Sequence, residues 1–111
     1  MSGLHVLSLN DRQQKWLESN VRDYKKKVTY PVTRVICQLS LDDGTIFFVM
    51  IGSGNIMQMI LHGSVGIVWR ELDAKESAGW RTHSNSPMIK PMTEGMFEST
   101  KDFFRTVNSI M

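Results

Sequence analysis

The twenty residues Val32–Ile51, VTRVICQLSLDDGTIFFVMI, decide the fold class of this chain. Two runs rich in β-branched and aromatic residues flank the dipeptide Asp43-Gly44. Such a dipeptide between two β-rich runs indicates a hairpin, because a type I′ turn needs positive φ at both of its central residues. The stretch therefore predicts two antiparallel strands joined by a two-residue turn.

The predicted pairing gives this hairpin two different faces. The first face is fully apolar, with Leu41, Leu39 and Cys37 opposite Ile46, Phe48 and Met50. The second face carries Ser40, Gln38 and Ile36 opposite Phe47, Val49 and Ile51. We expect the first face to lie on the core. The second is half polar and half large apolar, so it is predicted to be either lightly covered or exposed for a partner.

Helical signals stand on both sides of this hairpin. Asn10 as N-cap, with Gln13 three residues later, predicts a helix that ends before Tyr30-Pro31. Its apolar stripe is Leu17, Val21, Tyr24 and Val28. Near the end of the chain, Thr93 is the predicted N-cap of an amphipathic helix. The stripe of that helix is Met96, Thr100, Phe103, Val107 and Ile110, flanked by Phe97, Phe104 and Met111.

The middle of the chain is less uniform. The segment 66–72, GIVWREL, predicts a further strand. The segment 55–62 fits either a strand or a two-turn helix with Asn55 as N-cap, and we prefer the strand. The polar stretch 73–92 is predicted to be a loop with a task of its own, or a loop that contains a short edge strand at 79–84. The prediction is one α+β domain over 1–111, with an antiparallel sheet of about four strands and two helices against it.

Composition favours a small cytosolic protein. The 111 residues are 41% hydrophobic and 22% charged, which argues against disorder, and the formal net charge is only +2. The single cysteine, Cys37, has no internal partner for a disulfide and lies in an apolar segment, which favours a reducing compartment. No run approaches the ~20 apolar residues that cross a bilayer. The sequence therefore predicts no membrane partner.

A glycine-rich element follows the hairpin, at Gly52-Ser53-Gly54-Asn55. A phosphate-binding P-loop would need a lysine next to Ser or Thr, and no lysine lies between Lys27 and Lys75. A dinucleotide fingerprint would need a third glycine at the position of Met57. The element is therefore predicted to be a turn between two buried segments.

Catalytic patterns are weak. The three histidines, His5, His62 and His83, have no zinc-type spacing with one another or with Cys37, so no metal or cofactor is predicted. A third-ranked hypothesis is a metal-independent ribonuclease. In that hypothesis Glu71 or His83 would be the acid or base, and Arg70 or Arg81 would steady the phosphorane. The chain is predicted not to be an enzyme.

The preferred interpretation is a small interaction protein, such as a regulator, inhibitor or adaptor, that docks on a larger protein or pairs with a second copy. Small proteins of this kind are frequent in viral and mobile-element genomes. The predicted partner-binding residues are Ile36, Phe47, Val49, Trp80, Arg81 and His83. The alternative is a nucleic-acid-binding module in which a basic helix end and a Trp-Arg pair grip phosphates and bases. The residues predicted for it are Arg22, Lys25, Lys26, Lys27, Trp80 and Arg81.

Overall fold

The computed structural model describes residues 4–40, 44–54 and 56–108. Within them lie six strands and four helices. They are β1 (Leu4–Ser8), α1 (Asp11–Asn20), α2 (Tyr24–Lys27), β2 (Val32–Ser40), β3 (Thr45–Gly52), β4 (Met57–His62), β5 (Gly66–Glu71), α3 (Ala74–Ser84), β6 (Lys90–Pro91) and α4 (Glu94–Asn108). The predicted α+β class is confirmed, with more strands than expected. Among the described residues, no helix is both long and apolar enough to span a membrane.

The strands form one sheet in the order β5-β4-β3-β2-β1-β6. Strands β2 to β5 make the predicted antiparallel meander, and the preference for a strand at 57–62 is confirmed. Strand β1 adds antiparallel to β2, and the two-residue β6 adds parallel to β1. Neither of these two strands was predicted. Strand β6 has only two residues, and the five residues of β1, LHVLS, do not alternate strictly between apolar and polar.

The predicted register of the β2–β3 hairpin is wrong by two residues. Cys37 lies opposite Phe48, and Ser40 lies opposite Thr45, so four residues separate the strands. Gly44 has a φ of 69° and donates its N–H to the Ser40 carbonyl at 3.1 Å. The predicted turn residue Asp43 and the predicted core-face residue Leu41 lie outside the described residues. A register shift of two residues leaves all remaining side chains of the hairpin on their predicted faces, because side chains alternate between faces with a period of two.

The inner face of the sheet is the side covered by α1, α2 and α4. The strand residues buried on it are Val35, Cys37, Phe48, Met50, Met59 and Leu61. The ring of Phe104 on α4 lies 5.3 Å from that of Phe48 and 5.6 Å from that of Trp16, measured between centroids. Each large apolar side chain buried in this way stabilises the fold by about 1.5–3 kcal/mol. The inner face therefore holds the main core.

The predicted N-terminal helix is two helices. The Asn10–Gln13 capping box forms as expected, with the Gln13 N–H donating to the Asn10 side chain at 2.8 Å. The helix then ends at Asn20, and α2 begins only at Tyr24. Between them Asp23 has a φ of 65°, a left-handed conformation that aspartate tolerates better than most residues. The kink keeps the predicted apolar stripe on the core, since Leu17, Val21, Tyr24 and Val28 are all buried.

The C-terminal helix forms with Thr93 as N-cap, whose hydroxyl accepts the Met96 N–H at 3.2 Å. Its buried side is rotated from the predicted stripe. The residues buried along it are Phe97, Thr100, Phe104 and Val107. Met96 is 36% exposed and Phe103 is half-buried. The predicted stripe residues Ile110 and Met111 lie outside the described residues.

The polar stretch 73–92 was predicted as a loop or an edge strand, and this prediction is wrong. It contains α3, which begins at a capping box in which Asp73 accepts the Glu76 N–H at 2.8 Å. Helix α3 lies on the outer face of the sheet, opposite the other three helices. There Trp80 packs against a second apolar cluster, made of Ile36, Val49, Ile51, Ile56 and Leu72.

The hydroxyl of Tyr30 ties together the two strands that flank the glycine-rich turn. It donates to the Met50 carbonyl at 2.6 Å and accepts the Met57 N–H at 2.8 Å. Gly52 is required beside this side chain. A Cβ at position 52 would stand 2.5 Å from the Pro31 carbonyl oxygen and 2.6 Å from the Tyr30 ring. The Tyr30 side chain therefore fixes the turn, and it packs so close to position 52 that only glycine fits there.

Replacing Tyr30 by phenylalanine is expected to lower the free energy of unfolding by about 1–3 kcal/mol, because it leaves the partly buried Met57 amide and Met50 carbonyl without this partner. The matched control is Tyr24→Phe. Within the described part of the chain the buried Tyr24 hydroxyl has no hydrogen-bond partner, so its removal is expected to be neutral or stabilising. Urea denaturation of both variants measures the difference. Equal effects of the two substitutions would contradict this role of Tyr30.

Candidate functional site

Helix α3 covers only part of the outer sheet face. Ile36 and Val49, two of the predicted partner-binding residues, lie beneath it and are completely buried. They belong to the second core and cannot touch a partner while α3 is in place. The sequence predicted that this face is either lightly covered or exposed. At these two positions it is covered, and the element that covers it is a helix that was not predicted.

The next row of residues on the same face lies beside α3. We call it the outer row; it comprises Val6, Gln38, Phe47, Ile60 and Val68, each the cross-strand neighbour of the one before. The first four are half-buried, and Val68 at the sheet edge is 42% exposed. Side chains in directly opposed positions lie within contact distance of one another. The row is therefore a mostly apolar strip that crosses five strands, and it includes the predicted partner-binding residue Phe47.

One side of α3 faces this row. Glu76, Gly79, Trp80 and His83 follow one another at helical spacing and so share a side of the helix. Together with Val6 and Gln38 they line an open cavity of about 430 Å³, which we call the α3 groove. The predicted partner-binding residues Trp80 and His83 line this groove. The structure thus brings three of the six predicted residues, Phe47, Trp80 and His83, to one surface.

The polar groups of the α3 groove differ in how fully they are already paired. The Glu76 carboxylate accepts two hydrogen bonds from the Arg70 guanidinium, at 2.8 and 3.1 Å. This pairing lowers the pKa of Glu76 from its ordinary value. The exposed ring of His83 contacts the Trp80 ring edge-on, with centroids 5.5 Å apart. The groove therefore offers an indole, an imidazole and the Gln38 amide beside a neutralised carboxylate.

Gly79 stands in the interior of α3 and lines the same groove. A glycine inside a helix costs roughly 0.5–1 kcal/mol relative to alanine. A Cβ at this position would meet nothing within 4 Å, and no positive φ requires glycine there. The fold itself thus gains nothing from this glycine. Its effect is to leave space in the middle of the groove.

Arg81 points away from the groove and holds the glycine-rich turn. Its guanidinium donates to the Gly52 carbonyl at 2.6 Å and to the Gly54 carbonyl at 2.5 Å. A phosphate loop would instead direct backbone N–H groups at an anion. The turn therefore presents carbonyl oxygens to an internal cation, as expected of a structural connection. Asn55, the last residue of this element, lies outside the described residues.

The residues predicted for nucleic-acid binding do not form one surface. Lys25, Lys26 and Lys27 are exposed on α2, which packs on the inner face of the sheet through Tyr24. Trp80 lies on the outer face. Arg22 precedes α2 on the inner side, and Arg81 is engaged with the turn. The basic cluster and the Trp-Arg pair are therefore separated by the thickness of the sheet.

The residues of the ribonuclease hypothesis are likewise dispersed. Arg70 is engaged by Glu76 and by the Gln58 side chain, whose oxygen accepts its Nε–H at 3.2 Å. His83 lies two helical turns from Glu76, about 10 Å along the axis of α3. Burial raises the pKa of the Cys37 thiol to about 12, so this cysteine remains protonated and is a poor nucleophile. Among the described residues, no cluster of three His, Cys, Asp or Glu side chains is placed to hold a metal ion.

Several residues of the site were missed by the sequence prediction. Val6 was missed because β1 was not predicted, and Glu76 and Gly79 were missed because α3 was not predicted. The available signal was the Asp73–Glu76 spacing, which is that of a capping box. It was obscured because α3 has no apolar stripe: its buried residues are Ser77 and Ser84.

No protein-family model, curated protein or solved structure matches this chain.

The Cys37 thiol is expected to be unreactive in the folded protein, because its side chain is fully buried and its pKa is raised. Modification by a thiol reagent at pH 8 should be slower than in the urea-unfolded chain by about three orders of magnitude or more, as expected for a domain stable by at least ~5 kcal/mol. The measurement is the rate of thiol labelling in both states. Rapid labelling of the folded protein would show that Cys37 is accessible.

Gly79→Ala is expected to raise the free energy of unfolding by roughly 0.5–1 kcal/mol, because the new methyl group meets open space and the helix gains propensity. Gly95→Ala in α4 is the matched control, since a Cβ there also meets nothing within 4 Å but lies in the first turn of its helix. Thermal unfolding of both variants gives the comparison. A loss of stability in Gly79→Ala would show that the fold itself requires this glycine.

Proposed function

We propose that this chain is a small non-enzymatic interaction protein that docks on a larger protein through the α3 groove and the adjoining outer row. A regulator, inhibitor or adaptor would work in this way. The observation that carries the proposal is the juxtaposition of Trp80 and His83 with a mostly apolar row that α3 leaves open.

The chemistry of the surface suits a protein partner. Aromatic side chains beside a partly desolvated pocket are typical anchors of protein interfaces, and a polar rim usually surrounds them. Here Trp80 and Phe47 provide the aromatic groups, while Gln38 and His83 provide polar ones. The Glu76 charge is already neutralised by Arg70, so docking would not bury an unpaired carboxylate.

Gly79 supports the same proposal. Its presence weakens α3 without any steric need within the fold, and the space it leaves lies inside the groove. A partner side chain inserted there would contact the helix backbone closely. A glycine that the fold does not require, placed where a partner side chain could enter, is consistent with a docking role.

The proposal is tested by filling the groove. A photo-activatable phenylalanine at position 83 should form a discrete adduct with another protein in the cells that express the chain. Gly79→Trp should reduce this adduct at least tenfold, because the indole would occupy the space in front of α3. The control Gly95→Trp places the same side chain in open space on the other side of the sheet and should leave the adduct unchanged.

Two results would overturn the proposal. An adduct that persists equally in Gly79→Trp and Gly95→Trp would show that the groove is not the docking site. An adduct that nuclease digests, and that forms much less in lysate when salt is added before irradiation, would favour the nucleic-acid-binding alternative. Circular dichroism of each variant checks that the fold is retained.

A further inference from the structure

The two edges of the sheet differ in how they are protected. One edge is β6, which has only two residues and includes Pro91, a residue that cannot donate to a further strand. The other edge is β5, six residues long, and its register with β4 is unbroken from Met57–Glu71 to His62–Gly66. Strand β5 contains no proline, lysine or bulge, and its two charged residues, Arg70 and Glu71, lie at its C-terminal end, so the stretch 66–69 lacks the usual devices that prevent an edge strand from pairing.

The hydrogen-bond pattern shows which backbone groups of β5 point outward. Leu72 donates its N–H to the Ile56 carbonyl at 2.9 Å, so Leu72 faces β4. In an antiparallel pair, every second residue directs its backbone N–H and C=O groups at the neighbouring strand. The residues between them direct these groups away from it. The N–H and C=O groups of Ile67, Trp69 and Glu71 therefore point away from β4. Among the described residues, no strand pairs with this side of β5.

We propose that β5 is a homodimer edge, at which a second copy of this chain adds its own β5 antiparallel, with Val68 directly opposite Val68 of the second copy. The outward groups of Ile67 then pair with those of Trp69 of the second copy. This register places a β-branched residue opposite an aromatic one, a favourable cross-strand combination. The result is one continuous sheet across both copies.

Charge and exposure favour a second copy in this register. Arg70 lies opposite Gly66 of the second copy, and Glu71 falls beside the turn residue Val65 that precedes β5 of the second copy, so no like charges meet. A register centred on Trp69 would instead oppose Val68 to Arg70, whose guanidinium is engaged by Glu76. The 42% and 61% exposed side chains of Val68 and Val65 both lie at this edge. Pairing would cover the exposed end of the outer row and continue that row into the second copy.

This inference goes beyond the proposed function: it shares only Val68, the exposed end of the outer row, with the docking surface, and none of the residues that line the α3 groove. The first measurement is the oligomeric state by light scattering over a range of concentrations. We expect a dimer whose dissociation constant rises at least tenfold in Val68→Glu, since two carboxylates would then face each other. Met88→Glu is the control, because Met88 is 82% exposed and distant in sequence from β5. A wild-type protein that stays monomeric at millimolar concentration would overturn the proposal.

The second measurement tests the register by oxidative cross-linking. Opposed residues of a non-hydrogen-bonded antiparallel pair have Cα atoms about 4.5 Å apart, within the range for a disulfide. Val68→Cys should therefore cross-link almost completely under mild oxidation. Val65→Cys is the control: this position is more exposed, yet in the proposed register the two copies of it lie about 20 Å apart. The native Cys37 is fully buried and does not interfere. Equal cross-linking of the two variants would overturn the register.

A third measurement uses the unmodified protein and so does not depend on the folding of any variant. The outward amides of Ile67 and Trp69 should exchange hydrogen rapidly in the dilute monomer. Their protection should rise at least tenfold as the protein is concentrated, while the inward amide of Val68 stays protected throughout. Protection of Ile67 and Trp69 that does not depend on concentration would contradict pairing at this edge.

Discussion

The central strand β3 is buried on both of its faces, and the rest of the structure depends on this constraint. Phe48 and Met50 point to the inner face and Val49 and Ile51 to the outer one, all of them 5% exposed or less. A sheet with apolar groups on both sides at its centre needs helices on both sides. The inner face receives three helices. The outer face receives only α3, and what this one helix leaves uncovered becomes the candidate site.

Helix α3 is held by polar contacts at its ends rather than by a broad apolar face. Arg70 binds Glu76 near its beginning, and Arg34 donates to the Ser84 carbonyl at its end. In its last two turns Arg81 also binds the carbonyl groups of the glycine-rich turn. A helix anchored in this way can keep one side open to solvent. The helix also tolerates glycine at position 79, because packing at that residue does not hold the helix in place.

The glycine-rich turn and the candidate site are thus connected through one helix. Tyr30 fixes the turn from the inner side, and Arg81 fixes it from the outer side. The turn holds α3 in place, and α3 presents Trp80 and His83 to the groove. The element that looked most like a phosphate loop in the sequence therefore acts as an anchor for the helix that carries the proposed docking surface.

The sequence by itself determined the local features. The hairpin runs, the capping residues Asn10 and Thr93, and the strand at 57–62 follow from short-range patterns of side chains and turn residues. Because the pleat repeats every two residues, the alternation of Val35, Cys37 and Leu39 assigned the faces even though the register was wrong. The amphipathic pattern likewise identified the buried side of the segment that holds α1 and α2, at Leu17, Val21, Tyr24 and Val28.

Only the tertiary structure decided where α3 lies and therefore what the outer face can do. The helix has almost no apolar periodicity, so its place depends on long-range contacts with Ile36, Val49 and Arg34 that no local pattern encodes. Because of the same contacts, Ile36 and Val49 are buried and do not form part of the predicted surface, while Trp80 and His83 line the groove together with Val6. Strands β1 and β6 were also decided at this level, because pairs of short strands gain their stability only from the neighbours that the complete sheet provides.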